Sequence, residues 1–112
     1  MLSNILKGVA VKRDMANFRN LRDKAIKSSD KANDLGKDAI AGTGDHAKAC
    51  AAHAAAAQDN HQASMAASDI GSSNAANFHG TESYKHSTKA TAHAEWAGDA
   101  AAGQMTNGDA ST

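Results

Sequence analysis

All six histidines of this chain (His46, His53, His61, His79, His86 and His93) fall between residues 46 and 93 and recur every seven or eight residues within two runs on a background of alanine. The two runs are separated by Ile70-Gly71-Ser72-Ser73-Asn74. At about 100° per residue, His46, Cys50, His53, Ala57, His61, Ser64 and Ser68 share one narrow helical stripe. In the second run His79, Ser83, His86, Ala90, His93, Ala97 and Ala100 do the same. This pattern is that of two helices with small-residue seams, joined by a turn near residues 70–74, and it predicts an antiparallel hairpin over residues 45–102. A turn centred near residue 73 makes facing residues sum to about 146–147. His53 then pairs with His93, His61 with His86, and His46 with Ala100 or Ala101. Alanine and serine seams let helix axes approach at the short end of the usual 8–10 Å.

Few large apolar residues are available to build a core. Leu, Ile, Val and Phe occur only at Leu2, Ile5, Leu6, Val9, Val11, Phe18, Leu21, Ile26, Leu35, Ile40, Ile70 and Phe78, about a tenth of the 112 residues. Burial of so few weighs lightly against the conformational entropy of ordering the chain, which predicts completion of the fold by oligomerisation or by a protein partner. Zero prolines and abundant alanine favour helix outside the glycine-marked breaks, so the expected fold class is all-α. Tyr84 and Trp96 share a face neither with each other nor with the histidines, so no seam of large apolar residues is expected.

Leu2, Ile5, Leu6 and Val9 lie on one helical face, and the apolar phase then turns by about half a turn to Val11, Met15, Phe18, Leu21 and Ala25. Residues 1–35 therefore read as an amphipathic helical segment with a bend near residues 8–11, ending before Gly36. The four residues Leu2, Ile5, Leu6 and Val9 are the candidate docking patch. Residues 1–29 carry seven Lys/Arg against Asp14 and Asp23, a net +5 that the remainder balances to zero. A basic amphipathic helix of this kind can dock on protein, lie on a membrane, or meet nucleic acid. The two acids and the lack of interleaved aromatics speak against specific nucleic-acid binding, and the membrane stands behind protein docking. Residues 36–44 form a glycine-rich linker in which neither a P-loop nor a dinucleotide fingerprint has its required context. Thr43 or Asp45 is expected to cap the next helix. Residues 103–112 are a small, polar tail.

Three roles are open to the histidine seams. The imidazoles can be polar seam residues satisfied by each other, by serine or by water. They can bind metal, although two facing histidines, even with Cys50 a turn away, fall short of a closed four-ligand site, so no metal or other cofactor is expected. They can also form pH-sensitive pairs, His53 with His93 and His61 with His86, that repel when protonated. Cys50 sits one turn from His46 and His53, but an alanine-rich helix suggests neither a shaped pocket nor an oxyanion donor, so no enzymatic activity, catalytic residue or small-molecule substrate is expected. No apolar run approaches the roughly 18 residues of a membrane span, and Asn4, Lys7 and Gly8 interrupt any signal-peptide core, so cytoplasmic synthesis is expected.

An amphipathic N-terminus followed by Ala-rich helices with repeated Ala-His spacing, HAKACAAHAAAAQDNH and HSTKATAHAEWAGDAA, resembles the small helical virion proteins of tailed bacteriophages. The resemblance covers the texture of residues 45–102. It implies a non-enzymatic structural or assembly component (a minor head, internal-core or ejection protein) with virion subunits or copies of itself as partners.

Overall fold

The computed structural model describes the backbone of residues 2–101 and the side chains of residues 11–98. It is all-helical, with three helices: α1 (Leu2–Ile40), α2 (His46–Asp69) and α3 (Ser73–Ala101). α2 and α3 form the antiparallel hairpin, and α1 packs along α2, giving a rod of 68 × 18 × 18 Å. α1 and α3 both rest on α2 and make few close backbone approaches to each other, so an open seam runs between them.

The local signals at the hairpin act as expected. Asp45 caps α2, its carboxylate accepting from the amides of Ala47 at 2.7 Å and Lys48 at 3.4 Å. Gly71, at φ +75°, ends the helix in the left-handed conformation that a side chain would disfavour. Its amide donates to the Ser68 carbonyl and that of Ser72 to Ala67, which satisfies the last carbonyls of α2. α3 then begins at Ser73 and runs unbroken through Gly80 and Thr81.

Gly36 does not end α1. The helix continues to Ile40 and closes with Gly42 at φ +82°, so the connection between α1 and α2 is shorter than a linker over residues 36–44. The reason is a close approach. A methyl placed on Gly36 would lie 3.0 Å from His53 Nε2 and 3.3 Å from His93 Nε2, so this glycine makes room for the histidines inside a helix. α1 is also helical throughout residues 8–11, where the sequence suggests a bend. The side chains of Leu2, Ile5, Leu6 and Val9, and the tail 103–112, lie outside the described residues.

The seams follow a strict seven-residue period. Ala25, Ala32 and Ala39 of α1 and Ala49, Ala56 and Ala63 of α2 are buried, and so are His79, His86 and His93 of α3. A sustained heptad spacing keeps one narrow seam facing its neighbour along the length of a helix. Alanine at these positions brings the backbones close, and the imidazoles supply the volume that larger aliphatic residues usually give. The largest fully buried side chains are His53, His86, His93 and Asn60. The middle of this protein is thus polar, and its stability depends on how well those polar groups are paired.

Candidate functional site

The paired histidines are not those expected. Nδ1 of His46 meets Nδ1 of His93 at 2.7 Å, and Nδ1 of His53 meets Nδ1 of His86 at 2.7 Å. Asn60 takes the corresponding place opposite His79, with Oδ1 2.9 Å from Nδ1. Each facing pair sums to 139, one heptad below the expected 146. The chain reverses within Ile70–Ser72 rather than across residues 70–74, and a slip of seven residues returns the same faces to contact. His53 does touch His93, but by stacking, with ring centroids 5.5 Å apart and planes 8° from parallel. His61 and His86 do not pair: His86 is buried and His61 is exposed.

The position of His61 follows from the period. From His46, fourteen residues reach Asn60, roughly 40° from the starting direction on a straight helix, whereas fifteen reach His61, roughly 60° away on the other side. Under-winding toward 3.5 residues per turn brings Asn60 onto the seam and turns His61 outward.

Trp96 also departs from expectation. It is buried and stacks on His46, with centroids 4.1 Å apart and planes 17° from parallel. Lying three residues after His93, it shares the histidine face through the helical turn. Tyr84 is exposed, as its separate face requires. The result is a ladder along the rod: Trp96, His46, His93, His53, His86, Ser29, Asn60 and His79, with Phe18 edge-on to His79 at the far end.

Hydrogen-bonding roles fix the proton positions at the Asn60 end of this ladder. The Ala56 carbonyl can only accept, so Asn60 Nδ2 donates to it at 2.8 Å, and its second proton goes to Ser29 Oγ at 2.9 Å. Asn60 Oδ1 is left to accept from His79 Nδ1–H. Ser29 Oγ also lies 3.1 Å from His86 Nε2, and with a proton and a second lone pair it can donate to that nitrogen or accept from it. Between His86 Nδ1 and His53 Nδ1 a single proton is shared, carried by whichever ring is in its Nδ1–H tautomer. When His86 carries it, the proton of His53 is on Nε2, next to Gly36. Beside this chain Asp59, also buried, accepts from Ser28 and lies 3.6 Å from Lys24 Nζ.

Every imidazole of the ladder is held less basic than a free histidine, chiefly by burial. His53 is lowered to about 4 by burial and then by the positive fields of His86, His93 and Lys89. His93 is lowered by burial, His46 and Lys89. For His86 and His79, burial outweighs the opposing field of Glu82, and for His46 it outweighs that of Asp45. These are the signatures of neutral, hydrogen-bonded imidazoles.

Asn60 and Ser29 belong to this network although their types alone did not mark them. Asn60 could have been found from the strict heptad 46–53–60–67, in which it replaces histidine. Among the described residues no three His, Cys, Asp or Glu side chains converge as a metal site, and Cys50 is a half-buried free thiol. No helix among them is long and apolar enough to cross a membrane. No protein-family model, curated protein or solved structure matches this chain.

Proposed function

We propose that this protein is a non-enzymatic assembly component, in which a rod specified by the histidine ladder presents the N-terminal part of α1 to protein partners. The observation that carries this reading is the unequal length of the helices. Ile70 and Asp69, at the hairpin turn, border a small cleft with Val11, Asp14 and Met15, while the backbone of α1 begins nine residues earlier, at Leu2. At about 1.5 Å per residue, residues 2–10 extend roughly 14 Å past that point. Val11 and Met15, at the base of this extension, are 55% and 38% exposed, so the apolar stripe is uncovered where the overhang starts. A partly apolar helical arm, continued by the basic stretch of α1 from Lys12 to Lys27, suits attachment to another subunit or to a second copy of this chain. A minor structural role in a virion is one setting in which such an arm would serve.

Light scattering on the full chain and on Leu6→Asp tests this. The wild type is expected to form a defined oligomer at micromolar concentration, and the variant a monomer of nearly unchanged helical content. A wild type that stays monomeric, or a variant that assembles equally well, would overturn the docking role. Liposome flotation of the wild type separates the membrane alternative: recovery with vesicles but no self-association would favour it.

A further inference from the structure

The seam between α1 and α3 opens into a cleft of about 240 Å³ lined by Asn33, Gly36, Lys37, His53, Lys89 and His93. All three helices contribute: α1 gives one wall with Lys37, α3 the other with Lys89, and the two buried imidazoles form the floor. The lining contains no carboxylate, and among the described residues neither Lys37 nor Lys89 lies within ion-pair distance of one. His53 Nε2 and His93 Nε2 both face this space with no hydrogen-bond partner among the described residues, since both atoms crowd the position a Gly36 side chain would occupy, and each donates into it in its Nε2–H tautomer. Asn33 adds a buried amide oxygen that also lacks a hydrogen-bond partner among the described residues. Rotating that amide by half a turn would present its NH2 group instead.

We propose that this cleft binds a small oxyanion of the phosphate class. Two ammonium groups at the rim supply charge, and an anion would select the Nε2–H tautomers of His53 and His93, which with Asn33 beside them supply directed donors at the floor. The site has two ammonium groups with no carboxylate in its lining, and a bound anion would offset the field of Lys89 and His93 that adds to burial in holding His53 less basic. Volume permits it, because a water molecule's share of the liquid is only about 30 Å³. Gly36 is what keeps the space open, and a helix interior is otherwise a costly place for glycine. Farther along the same seam a second cleft of about 190 Å³ includes Asp30 and Glu82 with Ile26 and Phe78, so the preference for an anion belongs to the first cleft alone.

The test is histidine ring-nitrogen NMR on the full chain, titrated with sodium phosphate and, separately, with sodium chloride at matched ionic strength. Phosphate is expected to shift the ring nitrogens of His53 and His93 saturably in the millimolar range and to raise the His53 pKa, leaving His61 unmoved. Lys89→Gln and Lys37→Gln lie at the rim and should fold normally, each weakening phosphate binding by about 2–5-fold, as expected for loss of one partly exposed charge contact. Glycerol phosphate, run in parallel, distinguishes a free phosphate from a phosphate ester: equal affinity places the ester substituent outside the cleft, and loss of binding restricts the site to the free ion. Shifts no larger in phosphate than in chloride, or phosphate shifts undiminished in both lysine variants, would overturn the proposal.

Discussion

Acidification should loosen this protein well above the range in which its carboxylates titrate, and His53 sets the scale. An unfolded chain protonates this imidazole near 6.5, whereas in the folded protein it does so only at about 4. Between those values the unfolded state binds the proton and the folded state does not, so stability falls as pH falls. At 1.36 kcal/mol per unit, the full interval makes roughly 3 kcal/mol from this one residue, of which roughly 2 kcal/mol is lost by pH 5. His46, His79, His86 and His93 are displaced in the same direction, so the loss is at least that large. Small domains have only about 5–15 kcal/mol in total. The groups facing His53 do not offset the effect, since His86, His93 and Lys89 all oppose its charge, and Glu82 acts on His86 and His79 instead. Urea titrations followed by circular dichroism at pH 7.5 and pH 5 measure it. A slope of about 1–3 kcal/mol per molar urea turns the His53 contribution alone into a fall in midpoint of roughly 1 M. A midpoint that is unchanged, or higher at pH 5, would refute the buried neutral pairs.

The remaining predictions concern single positions. Gly36→Ala should destabilise the fold by about 1–3 kcal/mol despite the higher helix propensity of alanine, because the added methyl overpacks against His53 and His93; thermal melts check it, and a stabilised variant would contradict the close approach. His61→Ala should change stability by no more than about 0.5 kcal/mol, whereas His86→Ala should cost about 2–4 kcal/mol by leaving a cavity and an unpaired His53 Nδ1. Equal effects of the two substitutions would return the pairing to the register with facing sums near 147.

Much of the architecture could be read from the residues, because alanine, the lack of proline and the seven-residue recurrence of histidine leave helix as the only consistent local structure. Gly71 and Asp45 also act as their chemistry requires. The exact register could not be read, because a seam that repeats every seven residues is nearly as well satisfied after sliding by seven. Only the tightness of the turn at Ile70–Ser72 decides it. Gly36 illustrates a second ambiguity: from sequence a glycine after Leu35 looks like a helix end, and only the imidazoles brought from α2 and α3 explain its presence inside one. His61 and Asn60 show a third. A straight helix ranks them nearly equally for the seam, and the slight under-winding imposed by packing chooses the asparagine. The polar groups that complete the ladder, Ser29 of α1 above all, come from a helix far away in sequence with no periodic mark of their own. The role of α1 as the third wall of the site was therefore hidden until the helices were placed together.

The claim on which everything else rests is that neutral histidines, paired nitrogen to nitrogen, form the middle of this protein. Scalar coupling between ring nitrogens across hydrogen bonds, measured by NMR on protein carrying 15N-histidine near pH 7.5, tests it most directly. The expected result is coupling between Nδ1 of His53 and Nδ1 of His86 and between Nδ1 of His46 and Nδ1 of His93, with one proton in each of these bonds and the two rings of each pair in opposite tautomers. Six histidines with averaged tautomers, no coupling across any pair and titration near 6.5 would contradict it.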